Sequence, residues 1–163
     1  MKIVVVIIFC VIGLVLLVRL VRSRIAPNYP VTARDLPEVF SQLDRSNKDG
    51  NFAVLMFDPP GAADGEAVNL QYSIERGVVG MDWVLLGPRN IADRDKIIEF
   101  ASKLGHRLDA QEMNGVRYLR VTGSGIVELG ARIVQDYYHI GPDTKLEMIT
   151  EGFQWQPSAV TVA

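Results

Sequence analysis

The stretch "AVNLQYSIER", residues 67–76, alternates without a fault. Val68, Leu70, Tyr72 and Ile74 fall on one side, and Asn69, Gln71, Ser73 and Glu75 on the other. A period of two sends successive side chains to opposite faces of a strand, so this segment calls for a sheet with one apolar and one polar face. Antiparallel sheets are the ones that commonly leave a face to solvent. The neighbouring segments fit. "FAVLMF" (52–57) is a short apolar run bounded by turn residues and reads as a strand buried on both faces. "MDWVLLG" (81–87) puts Met81, Trp83 and Leu85 on one face and Asp82, Val84 and Leu86 on the other. "GVVG" joins it to the alternating strand, and "DPPGAADGEA" reads as a loop between the first two.

Helical spacing brackets these strands. Leu36, Val39, Phe40 and Leu43 recur at i, i+3, i+4 and i+7, with Pro37 in the first turn and Asp35 or Thr32 as caps. A second helix is predicted over 91–104, with Asn90 as N-cap, Asp93 and Asp95 at its start and Gly105 as its stop. "RLDAQEM" and "VRYLRVT" flank Asn114-Gly115, the dipeptide of a two-residue hairpin. Ser124 can cap a third helix over 125–139, in which Gly130 points to close packing and Gly141-Pro142 ends the element. "KLEMITEGF" is a candidate further strand, and "QWQPSAVTVA" reads as a loose tail. The predicted class is α+β: helix, three strands, helix, two strands, helix, with a five-stranded antiparallel sheet.

Ahead of this lies "IVVVIIFCVIGLVLLV", sixteen residues without a charge. Its faces are all apolar, which disfavours a soluble surface helix, and its flank lacks a small-x-small cleavage site. The expectation is a single transmembrane helix within residues 1–24, crossing the membrane through residues 3–21. Arg19, Arg22, Arg24 and Arg34 follow it and outweigh Lys2, which would keep the following domain cytoplasmic. Residues 25–34 then read as a linker, 35–153 as the domain and 154–163 as a flexible tail. Cys10, the one cysteine, falls inside the apolar run, so no disulfide within the chain and no thiolate metal site is possible.

Charge narrows the function. Residues 1–24 contribute +4, while the remainder holds 13 basic and 19 acidic groups. A domain of net −6 without a basic stripe does not suit a phosphate backbone, so no nucleic acid is expected. His106 and His139 sit beside predicted helix ends, where the dipole favours a cation. Ser73 and Ser124 lack a nucleophile-elbow context, and "GSGIVELG" lacks Walker or dinucleotide spacing. Asp93, Asp95 and Glu99 are spaced as an exposed helix face, with no acid–base pair assignable among the carboxylates. No enzyme, cofactor or metal is expected.

The element order, together with "VNLQYSIERG", "MDWVLLGPRN" and "NGVRYLRVT", resembles the bacterial YbjN-like proteins and the class I type III secretion chaperones. The resemblance spans about residues 33–140 and implies a chaperone-like module that binds a protein or peptide, with a homodimer compatible with it. Secretion chaperones lack a membrane anchor, and here the chain departs from them. A structural subunit of a membrane complex is the alternative, and a small-metabolite enzyme ranks below it. The surface proposed for binding is the polar side of the sheet: Asn69, Gln71, Ser73, Asp82, Val84 and Leu86, with Arg89 at the joint before the second helix.

Overall fold

The computed structural model describes residues 28–63 and 66–157. Seven strands form one antiparallel sheet. They are β1 (Asn28–Val31), β2 (Phe52–Phe57), β3 (Val68–Glu75), β4 (Val78–Val84), β5 (Asp109–Met113), β6 (Val116–Thr122) and β7 (Leu146–Glu151). Four helices accompany them: α1 (Leu36–Ser46), α2 (Pro88–Ala92), α3 (Arg94–Lys103) and α4 (Ile126–Arg132). The spatial order is β1-β7-β2-β3-β4-β6-β5.

Two hairpins, one at the centre of the sheet and one at its β5 edge, close on tight turns. Arg76 and Gly77 both have positive φ, 53° and 72°, and so do Asn114 and Gly115, 52° and 78°. Two successive left-handed residues match the twist of the flanking strands, which fixes the register of β3 on β4 and of β5 on β6. The alternation of β3 is realised in full: Val68, Leu70, Tyr72 and Ile74 are buried under the helices. Met81 and Trp83 from β4, Leu119 and Val121 from β6, and Leu146 and Met148 from β7 join them. From above come Leu36, Val39 and Leu43 of α1, Ile97 and Ala101 of α3, and Ile126 and Leu129 of α4. Gly130 lets α4 close on the sheet, because a Cβ there would run into the Tyr72 hydroxyl.

The architecture corrects the predicted one. The sheet has seven strands rather than five, in a mixed α/β fold with four helices. Asn28–Val31, read as part of a linker, is an edge strand paired only with β7. An edge tolerates Pro30, whose missing N–H would break a central ladder. "KLEMITEGF" does contain a strand, and β7 pairs with both β1 and β2. The tail is held as far as residue 156: Trp155 is buried, and the Gln42 amide bonds both N and O of Gln156. "GVVG" (77–80), read as the connection from β3 to β4, contributes only Gly77 to the turn, since Val78–Gly80 already belong to β4.

The single-pass membrane placement is corrected as well. Among the described residues no helix is long and apolar enough to cross a membrane. The segment on which that expectation rested, residues 3–21, lies outside the described residues, as does Cys10. The cytoplasmic orientation derived from its flanks therefore has no support in the fold.

Candidate functional site

On the sheet face opposite the helices, residues of β3, β4, β6 and β5 meet in a cleft of about 700 Å³. Register explains its floor. Gln71 pairs with Asp82, Asp82 with Arg120, and Arg120 with Asp109, so one row of polar side chains crosses four strands. Gly80, one step along β4, is essential to this packing. A Cβ there would lie 2.5 Å from Arg120 Cζ, so only glycine lets the guanidinium settle on the strand.

Arg120 is nearly buried and well bonded. Its Nη1 donates to Asp82 Oδ1 at 2.6 Å and to Ser73 Oγ at 2.9 Å. Its Nη2 donates to the carbonyls of Ser73 and Val78 at 3.2 and 3.0 Å. Ser73 in turn donates its hydroxyl to Asp82 Oδ2 at 2.5 Å. Asp82 is only 1% exposed. Burial pushes its carboxyl above the ordinary value, against the Ser73 hydroxyl and the Arg120 guanidinium, which favour the charged form. Glu75 lies 3.4 Å from Arg120 Nη1 and accepts the Tyr118 hydroxyl at 3.0 Å. Burial, followed by that bond to Glu75, raises Tyr118 to about 12. At neutral pH the phenol is a fixed donor and the floor is a rigid, internally paired network.

The rim differs in character. Val78 and Met113 are 49% and 50% exposed, two of the few large apolar side chains left open to solvent, and both border the cleft. Gln111 and Glu112 of the edge strand β5 line the same side. All five residues of β5 are exposed.

The residues predicted from sequence separate. Gln71 and Ser73 line the cleft, and Asp82 lies directly behind Arg120. Val84 is half-buried at the end of β4, beyond the cleft. Asn69 is engaged elsewhere: its backbone N–H and C=O both bond the Asn90 amide, at 3.1 and 2.7 Å. Leu86 is an exposed turn residue after β4.

Arg89 lies on the helix-covered side. Its Nε meets Asp93 Oδ2 at 2.6 Å, and its guanidinium sits 5.9 Å from the centroid of the Tyr138 ring. Tyr138 stacks on Trp83 and donates its hydroxyl to Asp93 at 3.0 Å. Burial alone would raise Asp93, but the hydrogen bonds from Arg89, Tyr138 and Lys96 hold it below its ordinary value. Arg89 is thus a structural partner of a buried acid. Asn90, predicted as an N-cap, is inside α2; the helix breaks at Asp93 instead of running from 91 to 104.

Sequence reasoning missed Arg120, Glu75, Tyr118, Gly80 and Glu112 as members of one site. The alternation of "VRYLRVT" does place Tyr118, Arg120 and Thr122 on one face. Bringing them beside Asp82 takes the β4–β6 register, and no short-range signal encodes it. Among the described residues no group of three or more His, Cys, Asp or Glu side chains is arranged to hold a metal ion. No protein-family model, no curated protein and no solved structure matches the chain.

Proposed function

We propose that the domain is a protein- or peptide-binding module of the chaperone-like kind, working by recognition and without catalysis, and that the cleft on the uncovered sheet face is its binding surface. One observation carries this reading: exposed Val78 and Met113 flank a concave surface whose polar floor is already saturated with internal bonds. A paired floor has little to offer a reaction, since Ser73, Asp82 and Arg120 hold one another. Apolar anchors beside polar groups are what non-obligate protein interfaces present.

The test is selection from a random peptide library with the full chain as bait, alongside a Val78→Glu, Met113→Glu double variant. Both positions are exposed, so surface substitution there should change stability by no more than about 0.5 kcal/mol. Peptides selected on the wild-type chain are expected to lose binding to the variant. Equal binding to both, with the variant folded, would place recognition elsewhere and overturn the assignment.

A further inference from the structure

The five methionines of the chain are not equivalent. Met81 and Met148 are fully buried in the core, and Met56 is half-buried on β2. Met113 alone among the described methionines is open to solvent. It ends β5 beside the Asn114-Gly115 turn, paired with Val116. Alternation along β5 puts its side chain on the face that carries Gln111, at the rim of the cleft. Its neighbours leave it accessible to large molecules as well as small ones, since every residue of β5 is exposed. A thioether reacts with a dissolved peroxide only where the two can meet, so exposure sorts these sulfurs by reactivity. The one that reacts first is also one of the two open apolar side chains of the cleft, the other being Val78.

We propose that Met113 is a site of reversible oxidation by hydrogen peroxide, and that its oxidation state controls occupancy of the cleft. The second part rests on the peptide-binding reading above. A lone pair of Met113 Sδ attacks a peroxide oxygen, and the S–O bond forms as the O–O bond breaks. The hydroxide that leaves takes the proton of the sulfur-bound hydroxyl, giving sulfoxide and water. Sulfur is oxidised by two electrons and the peroxide is reduced by the same two. The sulfoxide is polar and accepts hydrogen bonds, so covering it with an apolar side chain of a peptide costs free energy where covering the thioether gained it. Val78 is then the only open apolar anchor left at the cleft. A methionine sulfoxide reductase reverses the change with two thiols, which leave as a disulfide while the oxygen leaves as water. The fold is spared throughout, because Met81 and Met148 stay enclosed and the pairing of Met113 with Val116 is made by backbone.

The full chain is treated with hydrogen peroxide, the peroxide is removed with catalase, and oxidation at each methionine is read by mass spectrometry of its proteolytic fragments. Met113 should become sulfoxide before Met56, with Met81 and Met148 unchanged while the chain stays folded. The probe for binding is a nonapeptide pool with leucine fixed at the centre and all other positions mixed, retained on the immobilised full chain. Oxidation should lower retention about three- to tenfold, the value of covering the half of a methionine side chain still open to solvent. Treatment with a methionine sulfoxide reductase should restore it. Met56→Leu should lose retention on oxidation as the wild type does, and Met113→Gln should be retained as weakly as the oxidised wild type without any peroxide. Oxidation of Met56 first, or unchanged retention by a chain carrying the Met113 sulfoxide, would overturn the switch and leave peptide binding in place. So would a Met56→Leu chain that peroxide no longer affects, or a Met113→Gln chain that retains the pool like untreated wild type. No retention by the untreated wild type would overturn both readings.

Discussion

Gly130 and Tyr72 show how much a single contact decides. In an exposed helix, glycine to alanine is favourable by about 1 kcal/mol. Here the new methyl would meet the Tyr72 hydroxyl, so Gly130→Ala should destabilise by about 1–3 kcal/mol in urea unfolding. The same hydroxyl is buried without a hydrogen-bond partner, and burial raises its pKa well above the usual phenol value. Tyr72→Phe should therefore be neutral or stabilising, and should recover much of the loss when combined with Gly130→Ala. Additive effects of the two changes would show that they do not share this contact.

Asp93 supplies a second test at the same scale, in pH. Its folded pKa is depressed, so its contribution is fully present above the ordinary carboxylate value, about 3.9, and is lost as pH falls through the lower folded value. Asp93→Asn should cost about 1–3 kcal/mol at pH 7. The gap from wild type should close as the buffer is taken below about pH 4; a gap independent of pH would mean that the Arg89 and Tyr138 contacts do not depend on the charge.

Among the elements, the α2–α3 segment is where local sequence rules and tertiary structure diverge. Asn90 before an amphipathic run has the pattern of a cap, and a cap could be served equally by serine. In the fold its amide instead completes the backbone hydrogen bonds of Asn69 at the start of β3, and its carbonyl accepts the Trp83 indole N–H at 2.9 Å. Asn90→Ser is thus expected to destabilise nearly as much as Asn90→Ala, by about 1–3 kcal/mol. Rescue by serine would restore the capping role. The same comparison explains what the sequence made legible. Segments whose signal is local, such as the β3 alternation, the α1 stripe and the Asn114-Gly115 turn, form where the pattern puts them. The cleft is different, because Asp82 and Arg120 are 38 positions apart and meet only through the β4–β6 pairing. Their opposite charges were visible, but their neighbourhood was not.

For the molecule as a whole, the unforeseen part is the β1–β7 side of the sheet. "NYPV" is too short to show a period and carries a proline, and "LEMITE" reads as a strand without naming its neighbours. Packing of the C-terminal stretch follows the same logic: Trp155 is buried though the segment around it is polar. Trp155→Ala should cost about 3–5 kcal/mol, which thermal unfolding would register directly. A loss below about 0.5 kcal/mol would mean that the indole contributes no more than an exposed residue.

The position of β7 also has a consequence for synthesis. Among the described residues the strand made last, β7, lies between the two made first, and β1 has no other partner in the sheet. While the ribosome is still extending the chain, β2 can join β3, but its other edge stays an open template until residues 146–151 have emerged. Nascent chains stalled before that point should be prone to pairing with one another. Emergence of β7, rather than growth of the hairpins, then sets when the sheet becomes safe from aggregation.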